Sequence, residues 1–319
     1  MSTIKNVAIA GGSGLVGKPI VNALLKSGKF TLTALVRESS TSTFPSGVKV
    51  VKVDFDSVAS LTEALKGQDA LVSAIGNAAL QGQNLLVDAA LLEIALWRRD
   101  LLVDAAVAAG VSRFLPSEFG SDLDNAKAGA LPVFGYKVAT ANYSKEIAAS
   151  NPAFTYTFIR TGAFLESGLE NNMLIDSQSG KPRIFDSGDQ LWSAITLESV
   201  GQSVVGVLTH PEETRNRAVY VQSIATSQNK LLDIVKKLTP GKTQEPQYVS
   251  TEDVFNDSNA KLAKGDYSEG VMFGYIFVAM FGEGYGAVYE TTDNERLGVT
   301  SLTESDVEAI LKPIVARGN

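Results

Sequence analysis

The chain has 319 residues, enough for about two domains or for one large α/β domain with a smaller lobe. Its composition, 45% hydrophobic and 20% charged, is that of an ordinary globular protein. The net charge of −7 argues against a chain-wide basic surface, so we expect neither nucleic acid nor an acidic membrane as a direct partner. Without cysteine, and with a single histidine, the chain cannot form a disulfide, a cysteine nucleophile or a multi-histidine metal cluster, and no metal site is expected.

The first residues run almost at once into a strand pattern, which leaves no room for the regions of a signal peptide. We therefore expect cytoplasmic residence. The longest late apolar run, Val271–Phe281, is too short to span a bilayer and is interpreted as a core or lid helix. His210 stands before a proline in LTHPEE, which is typical of a helix end and disfavours a serine triad built on it.

The first half of the chain alternates β-branched runs with alanine- and leucine-rich stretches, as βαβ units of a parallel sheet do. This order predicts an α/β protein with a Rossmann-type, doubly wound parallel sheet. Helices are predicted to begin near Val16, Ser57, Gln83 and Val133. The predicted strands are Asn6–Ala10, Thr31–Val36, Val48–Asp54, Ala70–Ala74, Arg113–Leu115 and Thr155–Arg160.

Beyond Thr161 shorter segments predict a smaller, interleaved α/β lobe, with helices at Leu197–Leu208 and Ser227–Leu238. Val219–Val221 is a candidate strand that returns to the main sheet. We therefore predict a dinucleotide-binding domain over residues 1–162, to which residues 192–224 return. The smaller lobe would comprise residues 163–191 and 225–319, and it would bind the substrate.

The hexapeptide LLVDAA occurs at Leu85–Ala90 and again at Leu101–Ala106. One straight helix over residues 84–109 could not turn the apolar faces of both copies toward one sheet, because the second copy is rotated by about 160°. The repeat predicts a break near Trp97–Asp100, or a first copy that packs outward, against a partner for example. A harmless duplication in a surface connection is the alternative.

The motif GGSGLVG follows the first strand and opens a helix. In this context Gly11 permits a tight turn, Gly14 lets the backbone approach a pyrophosphate, and Gly17 lets helix and strand pack closely. The helix N-terminus supplies amide donors and a positive dipole end. The motif predicts a dinucleotide site, and a glycine-rich turn that binds nothing is the alternative.

The residue at the end of the second strand discriminates between the two nicotinamide cofactors. An acidic residue there would accept hydrogen bonds from the ribose of NAD, whereas Arg37 can hold the 2′-phosphate of NADP and stack on adenine. Arg37 therefore favours NADP(H), unless it is only a solvated strand-end charge. Asp54 and Phe55 follow the third strand beside the expected adenine, and Ser73, Ile75 and Gly76 follow the fourth toward the nicotinamide.

These residues resemble the NmrA-like group of atypical short-chain dehydrogenases/reductases, which includes isoflavone reductases and phenylcoumaran benzylic ether reductases. The resemblance is carried by GGSGLVG, by LVRES, by VSRFLPSEFG at Val111–Gly120, and by Lys137 in the next helix. It continues through TYTFIRTGAF and weakens after about Gln244. It implies an NADPH-dependent reductase in which Lys137 handles a proton beside the nicotinamide.

A lysine beside a cationic cofactor, or desolvated in a pocket, is a usable general acid or base. The alternative for Lys137 is a surface lysine paired with a carboxylate. The YxxxK spacing of typical short-chain dehydrogenases is absent around Tyr136 and Tyr143, so Lys137 would act alone, with water or with a substrate hydroxyl. The candidate cofactor-binding residues are Gly11, Ser13, Gly14, Leu15, Val16, Gly17, Arg37, Asp54, Phe55, Ser73, Ile75, Gly76, Ser117, Glu118 and Phe119.

The resemblance implies a small, planar aromatic substrate. The aromatic side chains that could line its pocket are more often core residues at helical spacing, and they are Phe164, Trp192, Phe273, Tyr275, Phe277, Phe281 and Tyr285. A second reading is a non-catalytic sensor of the NmrA type, which binds NADP(H) and signals to a protein partner. Lys137 favours the enzyme, and the repeat leaves the sensor open.

Overall fold

A computed structural model describes residues 3–76 and 100–317 of the chain. Seven strands form one parallel sheet in the order β10-β6-β5-β4-β1-β2-β3. They are β1 (Asn6–Ala10), β2 (Thr31–Arg37), β3 (Val48–Val53), β4 (Ala70–Ser73), β5 (Arg113–Leu115), β6 (Thr155–Arg160) and β10 (Arg217–Tyr220). The order reverses between β1 and β4, and this switch point is where ligands of such sheets bind.

The central strands are buried because both faces of the sheet are covered. Ala70–Ser73 is buried along its whole length, and so is Thr155–Arg160. A run of this kind is typical of a parallel sheet between two helix layers. This architecture confirms the predicted Rossmann-type fold.

The described helices flank the sheet or build the rest of the chain. The first seven are α1 (Gly17–Ser27), α2 (Val58–Leu65), α3 (described over 100–108), α4 (Ala126–Gly129), α5 (Gly135–Ser150), α6 (Leu165–Glu170) and α7 (Leu197–Thr209). The last five are α8 (Gln228–Leu238), α9 (Thr251–Leu262), α10 (Glu269–Phe281), α11 (Asn294–Leu297) and α12 (Glu304–Ala316). A short 3-10 helix, Pro132–Phe134, leads into α5.

Two hydrophobic cores lie on the two faces of the large sheet. On one face, α1 and α7 cover β1 with residues such as Ile20, Leu24 and Val204. On the other, α2, α3 and α5 contribute residues such as Leu61, Val103 and Ala141. The helices α1 and α7 approach closely, since a Cβ on the α7 glycine Gly201 would lie 2.6 Å from the carbonyl oxygen of Pro19.

Two small sheets accompany the large one. One has the order β11-β9-β7, formed by Ile224–Thr226, Trp192–Ile195 and Ala163–Phe164; the other pairs β12 (Gln247–Val249) with β8 (Arg183–Phe185). Between them and α6, α8, α10 and α12 lies a third core that includes Trp192 and Phe281. A fourth core joins α10 to the 3-10 helix and thus to the beginning of α5.

Strand β10 follows β7, β8 and β9 in the chain but pairs with β6 in the large sheet, which confirms the returning strand. Of the segment 192–224, α7 packs on α1 while β9 belongs to a small sheet. The division into two lobes stays a prediction. Among the described residues no helix is long and apolar enough to cross a membrane.

The apolar run Val271–Phe281 forms most of α10, as predicted, and His210 caps the C-terminal end of α7. The second copy of LLVDAA lies in α3, with Leu101, Leu102 and Ala106 in the core. The first copy and most of the predicted break at Trp97–Asp100 lie outside the described residues, as do the helix predicted to begin near Gln83 and the residues between them.

Candidate active site

The glycine-rich loop lies where β1 meets β4. Gly11 has a φ of +81°, and a Cβ there would lie 2.6 Å from the carbonyl carbon and oxygen of Ala74. The amide of Gly14 donates to the carbonyl oxygen of Gly11 over 3.0 Å, which folds the loop into a tight turn. A side chain fits at neither Gly11 nor Gly17, so glycine is needed at both positions for the chain to turn this tightly at the switch point.

The side chains of the glycine-rich loop differ in their exposure and contacts. Leu15 is 53% exposed, although it is a large apolar residue. Val16, partly buried, packs against the core and precedes the first residue of α1. Ser13 accepts a hydrogen bond from the Ser42 hydroxyl over 3.2 Å, which joins this loop to the loop after β2.

Arg37 is the last residue of β2 and is exposed. The chain turns just after it, since the amide of Ser40 donates to its carbonyl oxygen over 2.9 Å. Further along the same loop, the Phe44 ring packs under the glycine turn, 3.1 Å from where a Cβ on Gly12 would stand. The loop after β2, which begins at Arg37, therefore lies directly beside the glycine-rich loop.

The residues after β3 and β4 lie at the same edge of the sheet. The Asp54 carboxylate accepts a hydrogen bond from the amide of Asp56 over 2.9 Å, so it stabilises its own turn, and Phe55 packs against the core. Ser73 is buried at the end of β4, and its hydroxyl has no hydrogen-bond partner among the described residues. Ile75 is half-buried and Gly76 is exposed. The sequence placed these residues correctly along the strand ends, and their contact with a cofactor stays a prediction.

The loop after β5 carries Ser117, Glu118 and Phe119. Ser117 is half-buried, whereas Glu118 and Phe119 are buried. The Glu118 carboxylate is paired with the Arg160 guanidinium, and its backbone carbonyl is the group that meets Lys137. Glu118 thus presents its main chain to Lys137 while its side chain points to a buried partner.

Lys137 lies in the first turn of α5. Its Nζ donates to the carbonyl oxygen of Glu118 over 3.2 Å, and a Cβ on Gly120 would be 3.8 Å from Nζ. The ammonium group therefore rests on the loop that follows β5, near the carboxyl edge of the sheet. The structure brings Lys137 and the glycine-rich loop to the same edge, with β4 between β5 and β1.

Two residues of this region escaped the sequence interpretation. Arg160 ends β6 and is 1% exposed. Tyr289 donates from its hydroxyl to the carbonyl oxygen of Gly120 over 2.9 Å and accepts from the amide of Gly162 over 3.0 Å. The sequence did carry a signal for Arg160. It is a basic residue at the end of a predicted interior strand, and Glu118 follows the neighbouring strand. Nothing local marks Tyr289, because its partners are distant in sequence.

Burial raises the pKa of the Tyr289 phenol, although the amide of Gly162 and the charge of Arg160 oppose that shift. Burial, the neighbouring Asp122 carboxylate and its hydrogen bond raise the pKa of Tyr220 to about 12. Both phenols therefore stay protonated at neutral pH and serve as hydrogen-bond donors beside the loop. The rings of Tyr220 and Tyr289 meet edge to face, with centroids 5.1 Å apart.

A parallel sheet, a glycine-rich loop at its switch point and a basic side chain at the end of β2 define a dinucleotide-binding α/β protein. A family model described as NAD(P)H-binding matches residues 11–211. The oxidoreductase aprR of Aspergillus flavus is 33% identical over 98% of this chain and 99% of its own length. The isoflavone reductase homolog of Solanum tuberosum is 31% identical over 81% and 82%, respectively.

The chain belongs to the NAD(P)H-binding family, and within it to the isoflavone reductase-like proteins, so it is an NAD(P)H-dependent oxidoreductase. A phenylcoumaran benzylic ether reductase of Nicotiana tabacum is 30% identical over 81% of this chain and 82% of its own. The crystal structure of an isoflavone reductase superposes with a TM-score of 0.74 at 25% identity, over 98% of this chain and 99% of its own. These relatives confirm the resemblance seen in the sequence and do not favour the sensor reading.

Proposed function

We infer that the protein is an NADPH-dependent reductase that transfers hydride to a small aromatic or conjugated substrate, with Lys137 assisting protonation. The observation that carries this proposal is the position of the Lys137 ammonium on the loop after β5, at the same edge of the sheet as the glycine-rich loop. A reductase of this kind needs a proton donor next to the end of its cofactor that reacts.

The order of the strands supports a cofactor that lies across the switch point, with its adenosine near β2 and its nicotinamide near β5. Arg37 ends β2, on one side of the switch point, and Ser117 follows β5, on the other. Gly11–Gly17 would hold the pyrophosphate between them, since the N-terminus of α1 lies there. The nicotinamide would then reach Ser117, beside Lys137, and NADPH supplies the hydride when bound.

Arg37 supports the preference for NADPH over NADH. It is exposed at the carboxyl end of β2, and no acidic residue occupies that position. Its guanidinium can contact a 2′-phosphate with two parallel hydrogen bonds. The Ser13 and Ser42 hydroxyls, 3.2 Å apart, lie where the glycine-rich loop meets the loop after β2, and they would add neutral donors for the same phosphate.

Lys137 could donate a proton at this edge of the sheet. It lies in the first turn of α5, and its ammonium donates to the carbonyl oxygen of Glu118 in the loop after β5. The neighbouring tyrosines are not placed to share this role. Tyr136 is buried, and the Tyr143 hydroxyl donates to Asp104 over 2.5 Å. Lys137 would therefore deliver its proton directly, or through water or a substrate hydroxyl, without a tyrosine partner.

The substrate class is supported by the relatives and by the aromatic side chains around this edge. Isoflavone reductase and phenylcoumaran benzylic ether reductase are names of enzymes for aromatic compounds. Trp192, Tyr275 and Phe281 are fully buried and belong to the core. Phe164, Phe273, Phe277 and Tyr285 are only half-buried, which leaves part of each ring for contact with a planar substrate.

The test is turnover of NADPH with aromatic enones, benzylic ethers and isoflavone-like substrates, using wild-type protein and Lys137→Met. The proposal predicts deuterium transfer from C4-labelled NADPH to product by the wild type. It also predicts that Lys137→Met lowers kcat by about a hundredfold or more while its Kd for NADPH stays within about twofold. Full turnover by Lys137→Met would remove the lysine from the mechanism.

A further inference from the structure

A buried ion pair holds the loop after β5, whose Glu118 carbonyl accepts the hydrogen bond from Lys137. Glu118 and Arg160 are each 1% exposed, and the Arg160 guanidinium donates to the Glu118 carboxylate. Glu118 lies in the loop after β5 and Arg160 is the last residue of β6, and these neighbouring strands end at the same edge of the sheet. The carboxylate of Glu118 thus holds Arg160, while the carbonyl of the same residue holds the Lys137 ammonium.

The charge of Arg160 is maintained despite its burial. Burial alone would lower the pKa of the guanidinium, but the carboxylates of Glu118 and Asp124 more than offset this and raise it. Asp124 lies 3.6 Å from Arg160, and it also accepts from Lys145 over 3.2 Å. The pair is therefore part of a chain of alternating charges that reaches the surface.

Stability does not explain such a pair. A buried ion pair is often no more stabilising than well-packed apolar side chains of similar volume, because both charges must be desolvated. What the pair adds is direction, since a guanidinium and a carboxylate attract in a narrow range of orientations. Here the pair orients the main chain of Glu118, including its carbonyl group.

The other end of the loop is held as firmly. The carbonyl oxygen of Gly120 accepts from the amides of Thr161 and Gly162, over 3.1 and 3.0 Å, and from the Tyr289 hydroxyl over 2.9 Å. With Gly120 anchored in this way and the Glu118 side chain anchored by Arg160, the Glu118 carbonyl has little freedom. The Glu118 carbonyl is therefore a firmly held acceptor for the Lys137 ammonium.

We propose that Glu118 and Arg160 are positioning residues that aim the Lys137 ammonium at the reacting edge of the site through the Glu118 carbonyl. This inference rests on the role of Lys137 in the proposed function. Neither side chain touches substrate or cofactor in this account. Both act through Lys137, and the loss of either pairing partner releases the ammonium from its position.

The test follows Lys137 itself and needs no substrate. Wild-type protein and variants are labelled with trace acetic anhydride across a pH range, and mass spectrometry compares Lys137 with Lys26, whose side chain is 85% exposed. The variants are Arg160→Met, Arg160→Lys and the double variant Glu118→Gln/Arg160→Met, which leaves no unpaired buried charge. Arg113→Met is the matched control, because Arg113 is equally buried but stands at the opposite end of β5.

We expect Lys137 to be acetylated at least about threefold faster in Arg160→Met and in the double variant, because the carbonyl holds the protonated, unreactive form and losing that bond favours the free amine. Arg160→Lys should lie between these and the wild type. Arg113→Met should leave Lys137 labelling unchanged even where it lowers the unfolding midpoint. A double variant with the wild-type midpoint and wild-type Lys137 labelling would overturn the proposal.

The failure of this inference differs from the failure of the proposed function. If Lys137→Met loses turnover while the labelling of Lys137 is the same in every Arg160 variant, the lysine is catalytic and the positioning role is wrong. If Lys137→Met keeps full turnover, the catalytic role of Lys137 is wrong, and the positioning role fails with it. Where Arg160→Met does not fold, the double variant and Arg160→Lys carry the test.

Discussion

A Cβ placed on Gly17 would overlap the carbonyl oxygen of Gly11 and would lie 2.7 Å from the Cα of Gly12. The first turn of α1 is thus pressed against the turn that leaves β1, with no space for even a methyl group. This contact brings the N-terminal end of α1 onto the switch point of the sheet. It is the local reason why the helix N-terminus can face a bound pyrophosphate.

Gly17→Ala tests this close approach. The added methyl group forces the loop and the helix apart, so we expect the free energy of unfolding to fall by about 2 kcal/mol. The Kd for NADPH should rise by about tenfold, or about 1.4 kcal/mol, because the backbone amides move away from the phosphates. Urea unfolding and a fluorescence titration measure the two effects.

The matched control is Gly270→Ala. Gly270 lies in the first turn of α10, and no described atom would come within 4 Å of a Cβ there. We expect a change of about 1 kcal/mol or less, in the stabilising direction, and an unchanged Kd. If Gly17→Ala behaved like this control, the close contact would have no role in binding.

Arg113→Met tests a buried arginine far from the site. Arg113 is fully buried at the start of β5, where it donates to Thr157 Oγ1 over 2.6 Å and to the carbonyl oxygen of Pro211. Burial lowers the pKa of its guanidinium to about 10, which still leaves it charged at neutral pH. Losing these bonds should cost about 2 kcal/mol of unfolding free energy and leave NADPH affinity unchanged. Weakened cofactor binding in a stably folded variant would contradict this separation.

Tyr143 gives a prediction for pH. Its hydrogen bond to Asp104, together with burial, raises the pKa of the phenol to about 12. A phenol whose pKa is higher in the folded state stabilises the fold below its unfolded value, near 10. This contribution disappears as the pH rises from there through about 12.

Tyr143→Phe should therefore lower the free energy of unfolding by about 1 kcal/mol at pH 8. Titration of tyrosinate absorbance should lose one of the late-ionising groups, while the Tyr220 phenol, with its pKa also near 12, remains. If Tyr143→Phe instead loses a group that ionises at the ordinary tyrosine pKa, about 10, and keeps every late-ionising group, the bond to Asp104 does not form in solution.

The elements whose patterns are strongest were predicted closely. Asn6–Ala10, Arg113–Leu115 and Thr155–Arg160 were predicted with their exact bounds, because each is a short run rich in β-branched, aromatic or other apolar residues between turn residues. Val48–Asp54 and Ala70–Ala74 were each one residue too long. The large sheet and its glycine-rich loop could be predicted because periodicity and motif are local properties of the chain.

The details of the candidate site depend on which distant residues meet. Glu118 was predicted to bind the cofactor, whereas its carboxylate is buried against Arg160 from the neighbouring strand. The contact of Ser42 with Ser13 depends on how the loop after β2 folds back, which no periodicity encodes. Tyr289 reaches the loop from the far end of the chain.

The central claim is that the carboxyl edge of the large sheet binds NADPH, with Arg37 selecting its 2′-phosphate. Titration of wild type and Arg37→Ala with NADPH and NADH tests it most directly. The account predicts that the wild type prefers NADPH by about tenfold or more, and that Arg37→Ala loses this preference because NADPH alone binds more weakly. An unchanged preference in Arg37→Ala, or a wild type that binds neither nucleotide, would contradict it.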